Sequence, residues 1–218
     1  MRPMLKTKDI NPVMKTDRLE MFTDGVFAIA ITLLILEVKI PKHTDLVEVG
    51  GLYAYLLHLW PTYLSYFISF LVIGIYWSNI HWLFTFIYKK TNHVFNLLCI
   101  LFLMTIAFMP FTTAVLGDYI IDPEYRNAAV TAYCVGFFLP IPIGLLGTLY
   151  AFHNNRLIDP TLSKTFLRKQ IYKLVFGMVF LGVAIGLSFQ FPWVSIGIVV
   201  ANVLLYLLPP DKPEYDVE

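Results

Sequence analysis

Charged side chains are scarce in this sequence. Asp, Glu, Lys and Arg together make up 14% of its 218 residues, where a water-soluble domain carries about a quarter. Hydrophobic residues make up 58%, and the mean hydropathy is +0.69. That shortage excludes an ordinary soluble domain and identifies an integral membrane protein. Cysteine is nearly missing too. Cys99 and Cys134 both lie inside apolar runs, so they read as small buried hydrophobes and exclude a disulfide framework. Catalytic signatures are absent: there is no HExxH, no GxSxG, no Walker or Rossmann glycine pattern and no usefully spaced carboxylate pair within the apolar runs. Neither an enzyme, a cofactor, a resident metal nor a nucleic-acid partner is expected. The opening stretch, MRPMLKTKDINPVMKTDRLE, is polar and basic and lacks the apolar core of a signal peptide. The first hydrophobic helix is therefore expected to stay in the mature protein.

What is present is a series of long charge-free runs. Two of them, Val49 to Tyr88 and Leu174 to Pro210, are too long for one crossing of a hydrocarbon core of roughly 30 Å. Pro61 divides the first into a short surface helix over residues 50–60 and a span, since proline is favourable at a helix start. SFQFPW at 188–193 divides the second into a hairpin. The expected fold is all-α, one six-helix membrane domain over 1–218, with spans near 22–40, 61–87, 93–117, 127–153, 172–189 and 193–208; five spans is the alternative. A further amphipathic helix is expected in DPTLSKTFLRK, on the inner surface. With both termini inside, thirteen of the sixteen Lys and Arg residues, Arg2, Lys6 and Lys8 among them, fall on inner segments and only Lys39, Lys42 and Arg126 on outer ones. This asymmetry supports cytoplasmic termini.

The first helix differs from the rest. Its uncharged run, Gly25 to Leu36, is twelve residues, about 18 Å, flanked by Asp24, Glu37 and Lys39. Charges inside a membrane segment cost about 2.5–3.5 kcal/mol unless they face protein or water. Two arrangements satisfy that condition. In one, the helix stands at the centre of an assembly beside an aqueous path. In the other, Asp24 is a helix cap at the interface, and Glu37 and Lys39 lie among outer headgroups. Ile29, Leu33 and Leu36 fall on one helical stripe with Thr32 on its flank. Four copies around an axis would stack these as apolar rings with a hydroxyl ring between; plain core packing is the other use of such a stripe.

RLEMFTDGVFAIAITLLILEVKIP, residues 18–41, resembles the signature helix of the transmembrane protein 175 family of potassium channels, whose mark is Arg-x-x-x-Phe-Ser-Asp. Arg18, Phe22 and Asp24 match; Thr23 replaces the serine and keeps its hydroxyl. YWSNIHWLF at 76–84, with Trp77, Asn79, His81 and Phe84, is similar to the family's second helix. FNLLCILFLMTIAFMPFTT at 95–113 is similar to its third, with Asn96 and the Pro110-Phe111-x-Thr113 ending. Together these stretches cover about the first half of the chain.

The resemblance implies a homotetramer in which first helices line a potassium pore without a TVGYG filter. Ile29 would be the constriction, Thr32 would contribute to selectivity, and Leu33 and Leu36 would form further rings. Arg18, Phe22, Thr23 and Asp24 would anchor the helix, with Trp77, Asn79 and His81 as hydrogen-bonding neighbours. Asp24 lies about 140° around the helix from Ile29, so it is expected to turn into its own subunit, with Arg18 and His81 near to compensate it. Partners implied are potassium ions, the lipid bilayer and three further copies, in a bacterial or archaeal plasma membrane. The rival functions are a secondary transporter, for which His81 and the Pro140–Pro142 segment are the candidate features, and a non-conducting membrane interaction protein.

Overall fold

A computed structural model describes residues 14–208 and 211–215; Arg2, Lys6 and Lys8 and the leader reading of the first residues lie outside them. The described residues form helices and no strand beyond three isolated bridges. In order they are α1 (Asp17–Leu33), α2 (His43–Val49), α3 (Leu52–His58), α4 (Trp60–Phe86), α5 (His93–Tyr119), α6 (Arg126–Phe138), α7 (Pro140–Phe152), α8 (Lys164–Ser188) and α9 (Pro192–Tyr206). Five stretches are long and apolar enough to cross a membrane: Asp17–Glu37, Trp60–Phe86, His93–Tyr119, Arg126–Asn155 and Lys164–Ser188. α9 is a shorter apolar helix of 15 residues.

Local chemistry sets the ends. Pro61 sits in the first turn of α4 and Pro192 opens α9, where a missing N–H is harmless. The Asn92 side chain accepts from Phe95 N at 3.0 Å and caps α5. α2 ends where Gly50 and Gly51 take positive φ.

Several boundaries differ from expectation. The first helix starts at Asp17 rather than 22, and after Leu33 it tightens into a 3₁₀ turn over Leu34–Glu37. α2, polar and short, was not anticipated. The expected span 127–153 is two helices meeting at Leu139, because Pro140 and Pro142 supply no N–H to the carbonyls one turn before them. The Tyr76 hydroxyl donates to Phe137 O at 2.7 Å beside that break. No separate amphipathic helix precedes the fifth span: α8 runs unbroken from Lys164. The hairpin at 188–193 is present.

α5 lies at the centre, touching α1, α4, α6 and α7, while the α8–α9 hairpin packs on α4, α6 and α7. Phe27, Ile73, Ile106, Tyr133, Phe137 and Val199 are among the buried residues of the main core. Within a bilayer, close packing and internal hydrogen bonds hold helices together. Thr113 donates to Ser69 at 2.7 Å, and Ser69 shares a hydrogen bond with Tyr133 at 3.1 Å. Gly136 lets the side chain of Thr112 approach so closely that a Cβ would collide with it.

One end of the bundle gathers both described chain ends. Met14 pairs with Thr91, Tyr88 with Ile158 and Leu162 with Tyr215. There Lys173 pairs with Asp211 at 2.7 Å and Lys169 with Glu214 at 3.0 Å. At the other end Lys39 pairs with Asp118 at 2.6 Å, and Arg126 lies over Trp193.

Candidate functional site

α1 has two unlike faces. Leu19, Thr23, Phe27 and Ala30 recur every three or four residues and are buried. They press α1 against α4 and α5, the two long helices it touches among the described residues, and Phe27 meets the ring of Phe102 at 6.3 Å. The Thr23 hydroxyl donates back to Leu19 O at 2.8 Å, so its polarity is satisfied within the buried face. The opposite face is open. Ile29 is 61% exposed, Leu33 41% and Leu36 69%, and Arg18, Phe22 and Thr32 stand on the same side. A stripe of aliphatic residues is thus left bare by its own chain. This arrangement differs from core packing, the other use of such a stripe.

Thr32 has a specific orientation. Its hydroxyl lies 2.9 Å from both Ala28 O and Ile29 O, so its single hydrogen is committed to the backbone. The oxygen lone pairs remain as acceptors on the exposed side, the arrangement a cation needs.

Asp24 is not a helix cap, because it lies seven residues inside α1. It turns toward α4, where the indole Nε1 of Trp77 donates to its Oδ1 at 2.9 Å. Trp77 stacks on His81 with ring centres 5.5 Å apart and an angle of 16° between planes. His81 Nδ1 in turn lies 3.4 Å from Glu20 Oε1. Two carboxylates one turn apart on α1 therefore face two rings one turn apart on antiparallel α4.

Glu20 was missed by sequence reasoning. The matched spacing, 20 and 24 against 77 and 81, is the signal that pointed to it. The expected pairing of His81 with Asp24 is replaced by Trp77 with Asp24 and His81 with Glu20. The His81 side chain is half exposed on its own protomer.

The remaining motif residues divide. Arg18 and Phe22 are exposed on their own protomer, whereas Thr23 is buried and Asp24 accepts a hydrogen bond from α4. Asn79 is not joined to α1 either. Its amide donates to Ile75 O at 2.9 Å within α4 and faces the α8–α9 side. Two turns separate Asn79 from neither Trp77 nor His81, but its 200° rotation from each puts it across the helix.

Beyond Leu36 the chain that follows α1 is tied down. The Asp118 carboxylate accepts from Lys39, and that hydrogen bond raises the ammonium pKa above its ordinary value. Among the described residues no group of three or more His, Cys, Asp or Glu side chains is placed to hold a metal. Cys99 and Cys134 are free thiols.

The family model described as "Endosomal/lysosomal potassium channel TMEM175" matches residues 18–110, which run from α1 into α5. A protein named as a potassium channel from Chamaesiphon minutus is 39% identical over 196 residues, covering 89% of this chain and 94% of its own. Another, from Streptomyces collinus, is 34% identical over 178 residues, 80% of this chain and 83% of its own. The crystal structure described as a lysosomal potassium-selective channel TMEM175 homolog from Chamaesiphon minutus superposes with a TM-score of 0.78. That match is 35% identical and covers 88% of this chain and 96% of the other.

Proposed function

This chain belongs to the TMEM175 family, and on that premise we propose that it conducts potassium passively through a pore lined by the α1 helices of four identical copies. The observation that carries the proposal is the bare stripe of α1. Its own subunit holds the helix from behind with α4 and α5 and leaves Ile29, Leu33 and Leu36 open. Four such stripes around an axis hide these side chains from acyl chains and present them to ions.

The chemistry follows from the side chains. Rings of Ile29, Leu33 and Leu36 are narrow and apolar, so water leaves them readily and they close the path by dewetting. The Thr32 oxygens, with their hydrogens turned to the backbone, supply acceptors that replace part of the hydration shell of a potassium ion. Such a ring offers fewer oxygens than a carbonyl cage, which suits modest selectivity. Trp77 and Asp24 position α1 and do not meet the ion. Arg18 and Phe22, which face away from their own protomer, pack at the contact between neighbouring subunits in this assembly. The thirteen basic residues support a cytoplasmic location for both termini, with α9 as the sixth crossing.

The test is the reversal potential in a reconstituted bilayer under opposed potassium and sodium gradients, for wild type and Ile29→Asn. Current with potassium alone on both sides, and a several-fold larger current in the variant, are expected. A requirement for a second, coupled ion gradient supports a transporter instead. Absence of current supports a non-conducting protein, and unchanged current in Ile29→Asn moves the constriction elsewhere. Native mass measurement is expected to give four chains; two chains in a mild detergent overturns the assembly.

A further inference from the structure

The amide nitrogens of Gln170 on α8 and Asn202 on α9 are sealed from solvent and find no hydrogen-bond partner among the described residues. A primary amide carries two N–H donors, and leaving them unfilled at membrane depth is costly. Both residues line one hollow of about 400 Å³ between α4, α6, α7, α8 and α9, whose walls are otherwise chiefly apolar. A second hollow of about 300 Å³ adjoins it, and the two share Ile75, Asn79, Tyr206 and Leu208. Several other polar donors of the larger hollow are engaged. Asn79 Nδ2 donates to Ile75 O, the Tyr76 hydroxyl to Phe137 O and Thr148 to Gly144 O.

The polar groups are ordered by depth. The Tyr206 hydroxyl donates to Lys173 O at 3.0 Å, which sets the level of Lys173 against the end of α9. Asn202 lies one turn deeper than Tyr206, toward the middle of the bundle. Gln170 lies almost one turn nearer the basic end than Lys173. Lys173 lies between them in depth, its ammonium paired with Asp211; Lys169, toward the basic end, is paired with Glu214. Donors spaced over about 10 Å, opening into two apolar hollows, match one molecule: phosphate first, then ester, then two acyl chains.

We propose that the paired hollows form a phospholipid site at the basic end of each protomer. Lys173 and the Gln170 amide hold the phosphate, the Asn202 amide holds an ester carbonyl, and one acyl chain fills each hollow. Lys173 and Asp211 are the charged residues of the hollow's described lining, so the phosphate takes the place of Asp211 on the ammonium. The site lies apart from the α1 stripe, so it stands or falls independently of the permeation reading.

Trp82 lines the larger hollow and reports on it. Full-length protein in mild detergent is titrated with phosphatidylcholine brominated along its acyl chains. The Trp82 signal is taken as the difference between wild type and Trp82→Phe. Saturable quenching is expected, with a midpoint shifted about 25-fold in Gln170→Leu/Asn202→Leu, roughly five-fold per lost hydrogen bond. Quenching that rises with bromolipid fraction and never saturates overturns the site, as does an unmoved midpoint. Equal competition by a lysophospholipid or a free fatty acid overturns the two-chain assignment. Should the double variant fail to fold, the wild-type titration decides alone.

Discussion

Trp77→Phe keeps an aromatic ring against α1 and deletes one N–H. The contact removed is indole Nε1 to Asp24 Oδ1, 2.9 Å long. A hydrogen bond to a charged group contributes about 1.5–3 kcal/mol when sheltered. Asp24 is half-buried and Trp77 is 42% exposed, so solvent screens part of this and about 1–2 kcal/mol is expected. Asp24→Asn keeps an acceptor oxygen but loses the charge, and is expected to cost about 0.5–1.5 kcal/mol. Because both changes act on one contact, the double variant should fall short of their sum by about 1 kcal/mol. At about 2–4 °C per kcal/mol for a chain of this size, Trp77→Phe lowers the melting temperature by about 2–8 °C. The assay is loss of assembled protein after heating, read by size exclusion, with the reversal potential measured in parallel. Additive losses would remove the contact from the account. A preserved melting temperature with altered potassium-over-sodium selectivity would place Asp24 in the ion path and refute the positioning role.

Three further outcomes are expected. Lys39→Met should cost under about 1 kcal/mol, as an exposed pair does, yet speed hydrogen exchange over residues 34–40. With the Lys39 pKa raised, the wild-type contact is complete below about pH 10.5 and is lost as pH climbs through the higher folded value. The hydrogen bond from Lys173, then its charge, holds the Asp211 carboxyl below its usual range; its contribution is complete above about pH 3.8 and is lost as pH falls through the folded value. Exchange over residues 211–215 should therefore accelerate in acid before that of α5. Gly136→Val should cost about 1–3 kcal/mol by forcing α6 away from Thr112, measurable as a lower melting temperature.

The long helices were readable because their apolar runs exceed what a turn tolerates, and Pro61 and Pro192 marked true starts. The break at Leu139 was obscured because the apolar run continues through Pro140 and Pro142. α8 reaches back to Lys164 because its polar first turns still bury Phe166 and Leu167, a contact no periodicity within one helix announces. α2 is short and buries none of its residues, so its sequence carries no pattern to find. The membership of the α1 stripe could be read from its spacing, since 100° per residue fixes a face, but not that this face turns outward. Which carboxylate meets which ring could not, because that depends on the register of α1 against α4. Asn79 was grouped with Trp77 and His81 by the family resemblance, although helical rotation carries it to the opposite side.

The way α1 is held has an evolutionary consequence. Among the described residues it leans on α4 and α5 and on none of the four helices behind them, and the family match likewise ends inside α5. Substitutions in α6 to α9 reach α1 only through α4 or α5. Those four helices act as a chassis. A change there alters the α1 stripe only as far as it shifts the seat that α4 and α5 provide.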